Sequence, residues 1–217
     1  MTPAPRLRLR WVAAPFFLLL ASCASGPPAA PPVFLPPRLD LSRYGTIGIV
    51  QFAGPAAETL GSAATDAFLG AVHAAQPGTP VLELGNAASV LPAARGARID
   101  PAAIRALAAR EHVEAIWVGE LAEGLEQPRL ALSADYGSAS ASARRKASIS
   151  VRLFDGASGA TVWSAASERS IPVIAIDGTL SGLGNLRTTP VEEARSILLR
   201  ELVDDVTCDL RGRWEKN

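Results

Sequence analysis

The stretch Thr46–Phe52 (T-I-G-I-V-Q-F) most limits what this chain can fold into. It is a β-branched and aromatic run bounded by Gly45 on one side and Gly54-Pro55 on the other, so it predicts a buried strand. Leu60, Ala64, Ala67, Phe68, Ala71 and Val72 then recur at helical spacing, which predicts a helix over 56–75. Gln76-Pro77-Gly78 ends that helix, and Val81–Leu84 forms a short second strand. A strand that feeds directly into an amphipathic helix and then into another strand builds a βαβ unit, with parallel strands under a helical layer.

The same alternation continues. Asp100-Pro101 starts a helix, because Asp accepts from the first free amides and Pro fits the first helical position. Ile104, Leu107 and Ala108 give that helix its apolar face, and Val113–Leu121 follows as a third, central strand. The pattern then changes to antiparallel. Ile149, Val151 and Leu153 alternate with Ser150 and Arg152, Asp155-Gly156-Ala157-Ser158-Gly159 reads as a hairpin loop, and Thr161-Val162-Trp163 begins the return strand. Thr189-Pro190-Val191-Glu192 has the pattern of a capping box, and Val191, Ala194, Leu198, Leu202 and Val206 give the last helix a buried stripe. Arg211 and Arg213 follow near its negative end. The fold class is therefore α/β: a three-layer-like mixed sheet built as β-α-β-α-β, then an antiparallel hairpin and a C-terminal helix.

The first residues have another purpose. Arg6, Arg8 and Arg10 precede an uncharged apolar run, Trp11–Ala21, that is too short for a relaxed membrane span. The run closes in Leu20-Ala21-Ser22-Cys23, which resembles the bacterial lipobox. That resemblance implies a lipoprotein signal peptide over 1–22, acylation of the Cys23 sulfur, cleavage before Cys23, and acylation of the new amino group. It also implies palmitate-type anchoring in a lipid membrane; Ala24, rather than Asp, after the Cys implies the outer membrane, periplasmic side. Cleavage would remove three Arg and no acid, leaving 18 basic against 21 acidic side chains, net −3. Residues 23–39 then read as the lipidated Cys and a tether, with six Pro between Ala24 and Pro37 that favour an extended spacer. Residues 40–217 read as a single folded domain.

A lipobox and Pro-rich spacer, then "YGTIGIVQFAG", "HVEAIWVGEL" and "ASISVRLFDGASGATVWSAASERSI", and a closing amphipathic helix resemble one superfamily of bacterial envelope lipoproteins. It includes the curli-secretion channel lipoproteins (CsgG-like), the amino-terminal domain of TolB-like proteins, and the lipoprotein activators of peptidoglycan synthases (LpoB-like). The resemblance covers about residues 40–212 and implies fold and compartment, since its motifs carry no catalytic chemistry.

Composition and motifs exclude most other classes. With 21 Lys+Arg against 21 Asp+Glu the chain lacks the basic excess of a phosphate-contacting nucleic-acid binder. Two Cys and two His support neither a disulfide scaffold nor a zinc site of several Cys and His. His73 and His112 read as helix-end residues, 39 positions apart, and no metal is expected. Cys208, the only thiol once Cys23 is acylated, lies on a predicted helix beside Glu201 and Asp204, an environment that suits intermolecular pairing better than nucleophilic attack. The glycines from Gly178 to Gly184 lack a strand–GxGxxG–helix context, so no phosphate cradle or cofactor is expected. Arg144, Arg145 and Lys146 read as a solvated strand start, and no Gly-x-Ser-x-Gly elbow is present. No enzyme is expected.

Two connections carry the functional signal. About 127–143 joins the third strand to the hairpin, and about 172–188 joins the hairpin to the last helix. In the curli channel family, membrane hairpins occupy these two places. Here the first has one aromatic, Tyr136, and the second is interrupted by Pro172, Gly178, Gly182 and Gly184. The second reads as a loop that exposes Ile174, Ile176, Leu180, Leu183 and Leu186 as a partner contact. The expectation is a membrane-anchored periplasmic lipoprotein. It acts as a non-catalytic accessory or assembly factor through cell-envelope protein partners, with a homo-oligomeric secretion pore as the alternative.

Overall fold

Elements form along the chain largely where periodicity and caps place them. The structure is a computed structural model and describes residues 32–91, 99–132, 138–179 and 182–215, with the side chains of 130–139 and 176–186 outside the description. The elements run β1 (Val33–Leu35), β2 (Ile47–Gln51), α1 (Ala57–Ala75), β3 (Val81–Asn86), α2 (Ala87–Val90), α3 (Pro101–Glu111), β4 (Ala115–Leu125), β5 (Arg129–Leu132), β6 (Ser138–Asp155), β7 (Thr161–Thr179), β8 (Gly182–Thr188), α4 (Val191–Val206) and β9 (Arg213–Glu215). The main sheet has seven strands in the order β3-β2-β4-β6-β7-β8, with β5 also paired to β6. β2 is parallel to β3 and β4, and every pair beyond β4 is antiparallel. The sheet is therefore mixed, as the sequence pattern requires.

Two faces, two cores. On one face α1 and α4 cover Ile47, Ile49, Trp117, Leu121, Ile149, Val151 and Leu153, and contribute Phe68, Val72, Leu198 and Leu202 to the same cluster. On the other face α2 and α3 cover Val50, Ile116, Val118 and Phe154, with Ile104, Leu107 and Ala108 buried as their spacing predicts. This gives three layers, helix, sheet and helix. Four rings run through the first core in series: Phe52 on Phe68 at 5.5 Å, Phe68 on Trp117 at 5.2 Å, and Trp117 on Trp163 at 5.1 Å. Gly119 is required here, since a Cβ would collide with the Phe52 ring. The turn after β6 depends on Gly159, whose φ of 72° and closeness to the Pro101 carbonyl exclude a side chain.

Local signals differ in outcome. The Asp100 carboxylate accepts from the Ala102 N–H at 2.9 Å, with Pro101 in the first turn of α3. The capping box at the last helix does not form: Pro190 takes the cap position with ψ 144°, no side chain caps α4, and the Thr189 N–H donates to the Val173 carbonyl. With its extended ψ, Pro190 is itself the cap residue, so α4 starts one residue later than the pattern suggests. Val191 is consequently exposed, while Ala194, Leu198, Leu202 and Val206 are buried as expected.

The tether also differs from a plain spacer, because its Val33–Leu35 forms β1 and pairs with β9 in a separate two-stranded sheet. The chain divides into two units, residues 35–213, and the segment to Phe34 together with that from Trp214. Within the larger unit, the Gln76 side chain ends α1 and ties the chain's two flanks. The Leu41 N–H donates to its Oε1 at 2.7 Å, and its Nε2 donates to the Leu39 carbonyl at 2.6 Å and the Leu210 carbonyl at 3.0 Å.

Candidate functional site

Among the described residues both connections are largely strand, the second in place of the expected loop. β6 and β7 pair from Leu153–Trp163 out to Ser138–Thr179, about 50 Å of ribbon at roughly 3.3 Å per residue. β5 pairs on the outer side of β6 and β8 on the outer side of β7, so the far half is a four-stranded arm. The expectation of a loop over 172–188 is thus corrected: 174–179 and 182–188 are β-structure. A bulge permits it. The pairing of Ala143 with Ile174 and Arg144 with Pro172 leaves Val173 as the extra residue of β7, and Pro172 lies just outside the register of β8.

Register sorts the arm into rows. Leu130, Ala141, Ile176 and Leu186 are register partners across the four strands, and the adjoining row is Arg129, Ser142, Ala175 and Arg187. The next is Ala131, Ser140, Asp177 and Asn185. Successive rows of a sheet alternate faces, so this register alternates aliphatic and polar rows. At the base of the arm Leu125 is 66% exposed and Ile174 is 43% exposed. Of the expected contact residues, Ile174 is therefore at the surface. Ile176, Leu183 and Leu186 lie in strands with side chains outside the description, Leu180 lies outside the described residues, and so does Cys23.

An ion-pair cluster fixes the base of the arm to α4. Arg145 on β6 donates to Glu123 on β4 at 2.5 Å, and Arg195 on α4 contacts both Glu123 oxygens at 3.1 and 3.2 Å. Arg195 also reaches Glu192 at 2.8 Å. Burial pushes the Glu123 carboxyl up, but hydrogen bonds from Arg195 and then Arg145 outweigh this and hold it below the usual carboxylate range. Next to this cluster, the Asp205 carboxylate receives Arg169 at 2.7 and 2.8 Å and the Ser167 hydroxyl at 2.6 Å, and these bonds, Arg169's first, keep it below its ordinary value. Of Arg144, Arg145 and Lys146, read as solvated, only Arg145 is drawn in, against Glu123; Lys146 pairs with Glu168 at the surface. The sequence carried no signal for these pairings, since their partners lie 22 residues away or more.

Two depressions flank this region. One, about 420 Å³, lies over the sheet face that α2 and α3 leave bare and is lined by Glu120, Ser148, Ser150, Ala166 and Glu168. The other, about 520 Å³, lies between α1 and α4, with Ala67, Ala71, Leu199 and Val203 at its floor and Arg200 and Asp204 at its rim. His73 is exposed in the last turn of α1, and His112 is exposed in the left-handed cap of α3. Cys208 is an exposed free thiol. Among the described residues no group of three His, Cys, Asp or Glu side chains is placed to hold a metal, and no helix is long and apolar enough to cross a membrane.

The class the fold defines is an α/β protein with a mixed sheet and a projecting antiparallel arm. No family model matches the chain, and no curated protein matches it. Among solved structures it is similar to a PelC dodecamer from Paraburkholderia phytofirmans, at 16% identity and a TM-score of 0.43, covering 83% of this chain and 98% of that one. It is also similar to a putative neuraminyllactose-binding hemagglutinin homolog from Helicobacter pylori, at 9% identity and 0.43, covering 74% and 79%. A third is lipoprotein GNA1162 from Neisseria meningitidis, at 13% identity and 0.33, covering 70% and 92%. At these scores the likenesses decide nothing about this chain.

Proposed function

We propose that this chain is a periplasmic lipoprotein, anchored to the outer membrane through acylated Cys23, that acts without catalysis as an accessory or assembly factor for cell-envelope proteins. The observation that supports it is the arm. Four strands project as a ribbon with alternating aliphatic and polar rows, and both outer strands, β5 and β8, are open edges among the described residues. An open edge offers backbone donors and acceptors to another chain, and an adjoining apolar row adds affinity. The test is crosslinking capture from membranes with the double variant Ile174→Ser and Leu186→Ser. Capture or self-association should fall at least about tenfold while the melting temperature changes by less than about 3 °C. A collapse of the thermal transition would place both residues in the core and remove the site.

The arm also favours a second reading, a homo-oligomer. β5 runs antiparallel to β8 by the pairings through β6 and β7, so β8 of one copy can extend onto β5 of the next without reversing the sheet. Among the described residues β5 has four residues and β8 seven, fewer than the roughly 9–11 a membrane strand uses. The ring of copies is taken as this second reading, with a secretion pore as the other outcome of its test. Ring-shaped particles without planar-bilayer conductance are expected, and conductance would establish the pore.

A further inference from the structure

The two-stranded sheet of β1 and β9 presents Phe34 and Trp214 as a packed ring pair, with centroids 5.2 Å apart and planes tilted by 58°. A packed aromatic pair is ordinarily covered. Here Trp214 is 69% exposed, Phe34 49% and Val33 47%, and Arg213 immediately before Trp214 is exposed as well. Among the described residues these are some of the few large apolar side chains left in water, and they come from both ends of the described sequence.

We propose that Val33, Phe34 and Trp214 form an interfacial patch that seats in the surface of the bilayer to which Cys23 is anchored. The proposal rests on the lipoprotein reading above. Three observations select the bilayer as the occupant. Nine residues separate Cys23 from Val33, so even a fully extended chain, ten steps of about 3.5 Å, holds the patch within about 35 Å of the acyl anchor. Tethering over such a length gives a local concentration on the order of millimolar, so a weak patch suffices. The chemistry suits the headgroup zone: an indole and a phenyl ring with an apolar body, an N–H to hydrogen-bond, and an adjoining Arg for lipid phosphate. Glu215 follows Trp214 and limits that attraction to a local one. Finally, three partly covered side chains expose on the order of 300 Å², well short of the roughly 800 Å² per partner of a stable protein interface.

The experiment uses the protein purified from membranes, which on the lipoprotein reading begins at acylated Cys23, reconstituted in phosphatidylethanolamine vesicles with about 30% phosphatidylglycerol; a Trp11→Phe background removes that indole from any uncleaved precursor. Trp117 is fully buried and Trp163 is packed against it, so lipid-dependent quenching reports Trp214. Brominated acyl chains should quench wild-type emission, shallow bromines at least twice as strongly as deep ones, and Trp214→Ser should abolish that component. Emission quenched by aqueous iodide but untouched by brominated lipid, in protein that stays on the vesicles, would overturn the patch. So would shielding of Trp214 that rises with protein concentration in the absence of vesicles, which marks contact between copies. Intact mass judges the anchor separately. If Cys23 carries no acyl mass, the lipoprotein reading fails, and the patch is then judged on protein added to preformed vesicles: bromine quenching supports it and its absence overturns it.

Discussion

Trp163 shows how a single residue links the hairpin to the core. It lies on the return strand, its ring meets Trp117 edge-on at an interplanar angle of 88°, and its indole N–H is buried without a hydrogen-bond partner. Its hold on the fold is therefore packing alone, and Trp163→Ala should cost about 3 kcal/mol, read by chemical denaturation. A neutral result would show that the other three rings keep their positions without it. Glu123 is the polar counterpart. With its side chain 8% exposed and two arginines directed at it, Glu123→Gln leaves Arg145 and Arg195 facing a neutral amide and should cost about 2 kcal/mol near pH 7. The pH dependence has a definite sign. A carboxyl held below its unfolded value of about 4.5 contributes fully above that value, and the contribution is lost as pH falls through the folded value. The gap between wild type and variant should thus narrow steadily as pH falls below about 4.5, and a gap that does not narrow would assign the effect to packing.

β2, α1 and α3 were legible because periodicity and caps are local: Ile104, Leu107 and Ala108 fall on one face whatever surrounds them. Asp100→Ala should accordingly cost about 1 kcal/mol, by loss of the bond to the Ala102 N–H, and a melting-temperature shift of a few degrees checks it. The arm was not legible. The Ser-Ala alternation of 138–143 has little strand preference of its own, and it becomes β-structure because β5 and β7 pair on either side of it. Pro172 reads as a break, yet the bulge at Val173 carries the strand past it. In the same way, β1 was hidden in a Pro-rich stretch because its partner, β9, lies at the other end of the chain. Long-range pairing leaves no trace in a short window.

At the scale of the molecule, the proposed roles depend on one covalent event. Cys23→Ser should abolish lipid attachment and move the protein from the detergent to the aqueous phase, at least about tenfold, in phase partitioning. Unchanged partitioning would end the lipoprotein proposal and leave the arm's role to be judged by capture alone. The fold itself does not depend on the anchor, since both hydrophobic clusters lie within residues 41–210.

The Gln76 amide has a mechanical consequence. Through Leu39, Leu41 and Leu210 it ties the segment that follows the tether and the segment that follows α4 to the end of one helix. A pull delivered from the N-terminal side therefore loads three short bonds side by side before it reaches the seven-stranded sheet, and a second path runs from the Arg38 and Leu39 amides to the Asp209 carbonyl. Bonds strained together yield at higher force than bonds opened one after another. In a constant-velocity pulling experiment from the N-terminal side, Gln76→Ala should give a distinctly lower first rupture force while the force needed to unravel the sheet stays the same.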